Sequence, residues 1–224
     1  MIGYFVLHVY TLIDMEAKKI KTIHSGHFHH IADLETTTPL PNRGLEHLDP
    51  FLFLNHHGAQ FYPPHNNGLP FGPHPHRGME TLTFIIEGDI KHRDSHGHQS
   101  TIEAGGIQWM CAGSGLLHEE VSSEKFKREG GQLEILQLWL NLPAKKKMMA
   151  PAYTGLQRED IPVYQAEGVH AQVLFGQLGD VKGPLTPNFP LNFYTLYLEA
   201  GAAIDLPIQE NDQVFLYLFR AKST

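Results

Sequence analysis

The stretch "GPHPHRGMETLTFIIEG", Gly72 to Gly88, places two histidines two residues apart, fences them with prolines, and then runs into a branched, apolar segment closed by glycine. In an extended chain residues i and i+2 share a face, so His74 and His76 project together while Pro73 and Pro75 point away. Proline cannot donate to a ladder, which assigns this segment to a sheet edge or a barrel mouth rather than a sheet centre. A mouth is also where a small ligand can enter. The following "TLTFIIEG" (81–88) is rich in β-formers and has a turn glycine at its end, so the whole stretch reads as strand, turn, strand.

Working outward, "AGSGLLHEE" repeats the device. After a glycine-rich turn, His118 and Glu120 stand two apart and share one face, with Glu119 on the other. Three neutral imidazoles and one carboxylate form a nitrogen and oxygen donor set that suits Fe(II), with Mn, Co, Ni, Cu or Zn as other occupants. Iron comes first because donors on two neighbouring strands of an open barrel leave positions free for small molecules, whereas zinc more often closes into a structural tetrahedron. With sixteen histidines in the chain, some pairs arise by chance. His96 and His98, in "RDSHGHQS", read as solvent-exposed hairpin, and the histidines of "HFHHIAD" (27–33) and "NHHGAQF" (55–61) as surface or packing groups.

Strand-like runs recur at 51–55, 81–88, 106–110, 133–142, 171–176, 193–201 and 213–219, separated by Gly, Pro and Asn-Asp turns. Short helices fit only a few stretches, such as "AKKKMMAPAY" and "GLQREDIP". This is an all-β pattern, a sandwich or barrel. The strand pattern breaks at Pro143, where a basic run leads to Pro151, giving an expected N-terminal metal-binding domain over 1–143 and a linker plus second domain over 144–224. Laying "VFLYLFRA" on "TLTFIIEG" sets Pro207 against His74 and Gln209 against His76, so the second half is expected to lack metal ligands and its barrel to be cut short. Its edge is a place for a protein partner or self-association.

A formal charge of −7, from 17 basic and 24 acidic residues, disfavours direct nucleic-acid binding. One cysteine, Cys111, cannot form an internal disulfide, which fits a cytoplasmic or nuclear setting. The apolar "MIGYFVLHVYTLID" has no basic flank and too few residues to span a bilayer, so no membrane association is expected. It reads as an extra strand or as an extension before Met15.

The joined pattern of His-x-His, an acidic residue, a hairpin and then Gly-x-Gly-x-x-His is that of the cupins. More narrowly, "PHPHRGMETLTFIIEG", "GGIQWMCAGSGLLHEE" and "LQLWLNLP" resemble the pirin family, from about Asp49 onward and most densely between Gly72 and Pro143. The resemblance implies a bicupin, two β-barrel halves with a metal, usually iron, in the first, and assigns the ligands to His74, His76, His118 and Glu120. The usual cupin carboxylate would fall at Glu80, but its spacing to Gly88 is one residue too long. Glu80 is instead expected to pair with Arg77 or to support the ligands from behind.

Several pirin-like proteins are similar to quercetin 2,3-dioxygenases, which open a flavonol with O₂ and release carbon monoxide. That chemistry implies a flat aromatic substrate, O₂, and a base near the metal, for which Glu120 is the residue in place. Apolar residues around Trp109, Met110 and Phe84 either line the wall for such a substrate or, as is commoner, are plain barrel core. The alternative implied by the family is an iron-dependent, redox-sensitive regulator of protein partners that needs no turnover.

Overall fold

The computed structural model describes residues 8–11 and 18–220. Its strands are β1 (His8–Thr11), β2 (His27–Ile31), β3 (Leu34–Leu40), β4 (Phe51–Tyr62), β5 (Phe71–His76), β6 (Met79–Glu87), β7 (Asp89–Asp94), β8 (Gln99–Glu103), β9 (Ile107–Cys111) and β10 (Leu116–Val121). After helix α1 (Glu124–Glu129) come β11 (Gly131–Asn141), β12 (Ala152–Leu156), β13 (Val163–Ala166), β14 (Val169–Phe175), β15 (Gln177–Leu178), β16 (Val181–Lys182), β17 (Phe193–Leu198) and β18 (Asp205–Ile208). The protein is all-β, as its sequence indicates.

Residues 24–160 form one compact unit. A seven-stranded sheet, in the order β12-β9-β6-β11-β4-β3-β2, belongs to it together with a four-stranded sheet, β5-β10-β7-β8. One core joins them: Leu34, Ile85, Leu133 and Ile135 of the larger sheet pack in a cluster with Ile90 and Ile102 of the smaller. Each inward position recurs with period two, and the facing side chains close a sandwich around a shared interior. The strand break at Pro143 is not the edge of this unit. After a 3-10 turn at Ala144–Lys146 the chain returns as β12, whose Ala152 to Leu156 pair with Cys111 to Ile107 of β9. The second short helix expected, in "GLQREDIP", is likewise a single 3-10 turn, Arg158–Asp160.

Helix α1 escaped the sequence pattern because six residues are too few to show a helical period. Its start is nevertheless chemically specified. The Ser123 hydroxyl accepts from the Phe126 N–H at 3.0 Å and donates to Asp89, while Phe126 is buried.

The other compact unit holds the described residues from 161 onward together with 8–11 and 18–23. Here β13-β14-β17 form an antiparallel sheet over a cluster including Val169, Val173, Leu178, Ile204 and Leu206. Within "MIGYFVLHVYTLID", His8 to Thr11 form a strand parallel to Asp205 to Ile208; the rest of that segment lies outside the described residues. Residues 213–219, expected as a strand, carry no strand assignment among the described residues.

His57, on β4, is 2% exposed and bonds Thr36 Oγ1 through Nδ1 at 2.9 Å. Burial, helped by His56 and His29, pushes its pKa down to about 4. The unfolded chain binds this proton near pH 6.5 and the folded chain does not, so the stability His57 confers is complete above that pH and is lost as pH falls toward 4. The loss is about 3 kcal/mol at the lower limit. Thermal melts from pH 7 to 4 should therefore fall less steeply for His57→Gln than for the parent protein; equal slopes would remove His57 from the account.

Candidate functional site

The sheet register brings the sequence-separated histidines together. Strand β10 runs antiparallel to β5 with His118 opposite His74 and Leu116 opposite His76. On its other side β10 pairs with β7, setting His118 opposite Asp94 and Glu120 opposite His92. The turn before β10 depends on Gly113: its φ is +46°, and a Cβ there would lie 2.2 Å from the Met149 carbonyl oxygen, so the tight approach admits no side chain.

His74, His76 and His118 offer one nitrogen each, all within 4.8 Å of one another. His74 Nδ1 lies 2.7 Å from the Gly72 carbonyl, which can only accept, so Nδ1 carries the proton and Nε2 is bare. That Nε2 faces His118 Nε2 at 3.0 Å. Burial first, then the neighbouring histidines, hold the pKa of His76 at about 4 and that of His118 at about 2. Both rings are thus neutral, with lone pairs available. Two imidazole nitrogens each about 2.1 Å from a shared ion at right angles stand about 3.0 Å apart, so the trio fits a metal ion.

Glu120 is fully buried, and no oxygen of it joins that trio within the same limit. It forms an adjoining donor group with His92 and His118, so His118 belongs to both. Its carboxylate accepts from Gln137 Nε2 at 2.6 Å, from Thr83 Oγ1 at 3.3 Å and from Gln108 Nε2. The two amides are themselves oriented by groups that donate to their oxygens, the Trp139 indole N–H at 3.2 Å and the Tyr153 hydroxyl at 3.1 Å. Their NH₂ ends consequently point at Glu120. Burial raises the Glu120 pKa, and the bonds from Gln137, Thr83 and Gln108 oppose that rise. Glu119, of opposite parity, pairs with Arg93 at 2.6 Å instead.

Parity separates the wall reading from the core reading. Thr83, Gln108 and Gln137 show which face of β6, β9 and β11 looks toward Glu120, and by alternation Met110 and Trp139 share it whereas Trp109 and Phe84 lie on the opposite face. Met110 packs with Met79, Ala112, Leu116, Trp139 and Tyr153, and Trp139 meets the His76 ring at 5.1 Å. The same parity turns Glu80 away from the trio, where it neighbours Cys111, whose thiol is pushed up to about 11 by burial first and by Glu80 next. Arg77 donates to Met148 Sδ.

His96 is exposed, but His98 is not a bare hairpin side chain: its Nδ1 lies 2.9 Å from Asp94 Oδ2. Asp94 also accepts from His92 Nε2 at 3.2 Å. His92 is completely buried and stacks on Tyr153 at 4.0 Å. Sequence reading passed over it, although "DIKHRD" carries the signal, since Ile90, His92 and Asp94 share one parity with an apolar residue marking the inward face.

Residues 32–140 match the Pirin family model. A Pseudomonas aeruginosa protein provisionally named a quercetin 2,3-dioxygenase is 42% identical over 72% of this chain and 58% of its own length. A pirin-like protein of Caulobacter vibrioides is 32% identical over 85% of this chain and 68% of its own. Among solved structures, a crystal structure named quercetin 2,3-dioxygenase from Acinetobacter baumannii superposes with a TM-score of 0.68 at 38% identity, over 76% of this chain and 61% of that one. The chain spans between 50% and 58% of the length of several curated relatives. Matching motifs, an all-β sandwich and these relatives agree: the chain belongs to the pirin family of the cupin superfamily.

Proposed function

We propose that this chain acts as a metal-dependent dioxygenase on flavonols such as quercetin. His74, His76 and His118 would hold the ion, with Glu120 as the fourth ligand, and Fe(II) is the first choice among Fe, Mn, Co, Ni, Cu and Zn for three imidazoles and a carboxylate. When bound, Fe(II) contributes Lewis-acid polarisation of the flavonol hydroxyl and electronic coupling to O₂.

The observation that carries this reading is the buried Glu120 carboxylate, held by three donors and within 4.8 Å of a ring nitrogen of His118, which also belongs to the histidine trio. Such a group can take the proton of the flavonol 3-hydroxyl, leaving the substrate as the oxygen anion and Glu120 as the acid. Desolvation favours that transfer because it raises the affinity of Glu120 for a proton. Met110, Leu116 and Trp139 present an apolar face suited to a flat ring system. His74 is the least buried of the three histidines, so approach from solvent passes over β5. The names of the Pseudomonas and Acinetobacter relatives support the same substrate class.

The test is anaerobic reconstitution with Fe(II), addition of quercetin, then admission of O₂. One carbon monoxide released per O₂ consumed is expected. With metal bound and no O₂ uptake for any flavonol, the regulatory reading replaces the enzymatic one.

A further inference from the structure

Behind the site lies a buried chain of polar groups that the proposed chemistry does not use. His118 Nδ1, on the side of the ring away from His74, stands 3.5 Å from His92 Nδ1. His92 Nε2 contacts Asp94 Oδ2 at 3.2 Å, and the His92 and Asp94 side chains are 1% and 0% exposed. The Asp94 carboxylate also takes the backbone N–H of His96 at 2.9 Å and of His98 at 3.1 Å, together with the His98 ring.

Both Asp94 oxygens are met by donors, Oδ1 by the backbone N–H groups of His96 and His98 and Oδ2 by the rings of His92 and His98. Asp94 therefore stands toward His92 as an acceptor. It obliges His92 to carry its proton on Nε2, which leaves His92 Nδ1 as a bare acceptor turned toward His118. Stacking on Tyr153 at an interplanar angle of 13° fixes the ring that presents this acceptor.

His118 has one ring proton and two acceptors for it: His74 Nε2 at 3.0 Å and His92 Nδ1 at 3.5 Å. With the proton toward His74, His118 cannot ligate through Nε2. With it toward His92, both facing Nε2 atoms carry lone pairs. We propose that Asp94 and His92 are positioning residues that hold the His118 proton on Nδ1 and so turn its Nε2 into a metal ligand. The inference rests on the reading of the histidine trio as a metal centre. It makes the proton balance explicit: with the His118 proton on Nδ1, facing the His92 acceptor, an ion is taken on Nε2 and no proton is released to solvent.

The test uses Zn(II) alone. In the wild-type protein, ¹⁵N spectra of the histidine rings should show His92 protonated on Nε2 and bare on Nδ1, with and without Zn(II), and His118 protonated on Nδ1 in the Zn(II) form. Asp94→Asn places an amide donor against His92 Nε2, and His92→Phe keeps the stack on Tyr153 while deleting the acceptor; each should weaken Zn(II) binding by about 10–100-fold. His92 protonated on Nδ1 in the wild type overturns the proposal whether or not either variant folds. So do folded variants that bind Zn(II) within twofold of the wild type. Wild type that binds no Zn(II) overturns the metal reading and the proposal together, and flavonol turnover enters neither arm.

Discussion

Glu120→Gln is expected to lower flavonol turnover by about 10²–10⁴-fold in Fe(II)-reconstituted protein, the range over which a positioned base acts. The substitution keeps the shape of the side chain and removes its charge and its ability to take the substrate proton. It also has a structural cost that the surroundings make specific. Gln137 and Gln108 each present an NH₂ group to one of the Glu120 oxygens. Neither can turn round without abandoning the donor that holds its own oxygen, Trp139 in one case and Tyr153 in the other. An amide at position 120 therefore sets donor against donor whichever way it lies, with an expected destabilisation of about 1–3 kcal/mol. Oxygen uptake and carbon monoxide release measure the first effect, and a thermal melt the second. Turnover undiminished in a variant with full metal content would remove Glu120 from the proton transfer.

His118→Ala is expected to reduce bound metal to background, because His118 is the residue shared by both donor groups. His96→Ala, at an exposed hairpin position, should leave metal content unchanged. Elemental analysis of protein loaded with the same metal and then desalted compares the two, with circular dichroism confirming the fold of each. Full occupancy in His118→Ala would sink the ligand assignment. The prediction for Glu120→Gln differs in kind: that variant keeps all three imidazoles, so part of its metal should remain while turnover falls.

Much of the site was legible because period two is a strong constraint. Once His74 and His76 lie on one strand and His118 and Glu120 on another, each pair must share a face. Parity also separates Glu119 from Glu120. The same rule was under-used elsewhere. Apolar character alone leaves Trp109 and Phe84 open to wall or core, whereas counting from Gln108 and Thr83 puts them on the face opposite the site. His92 stands outside every histidine pair, as the single histidine of "DIKHRD", and its importance lies in what β10 sets against it.

Local chemistry by itself determined the all-β class, the turns, and the pairing of ligands within each strand, since these depend on side-chain alternation and on where glycine and proline permit the backbone to bend. Only the tertiary structure decided which strands are neighbours. Nothing local says that β10 lies between β5 and β7 or that β12 returns to the edge of β9, because pairing depends on partners distant in the chain. For the same reason the donors that orient Glu120, drawn from β6, β9 and β11, and the Asp94–His92 support behind His118 emerge only when the two sheets close on one another.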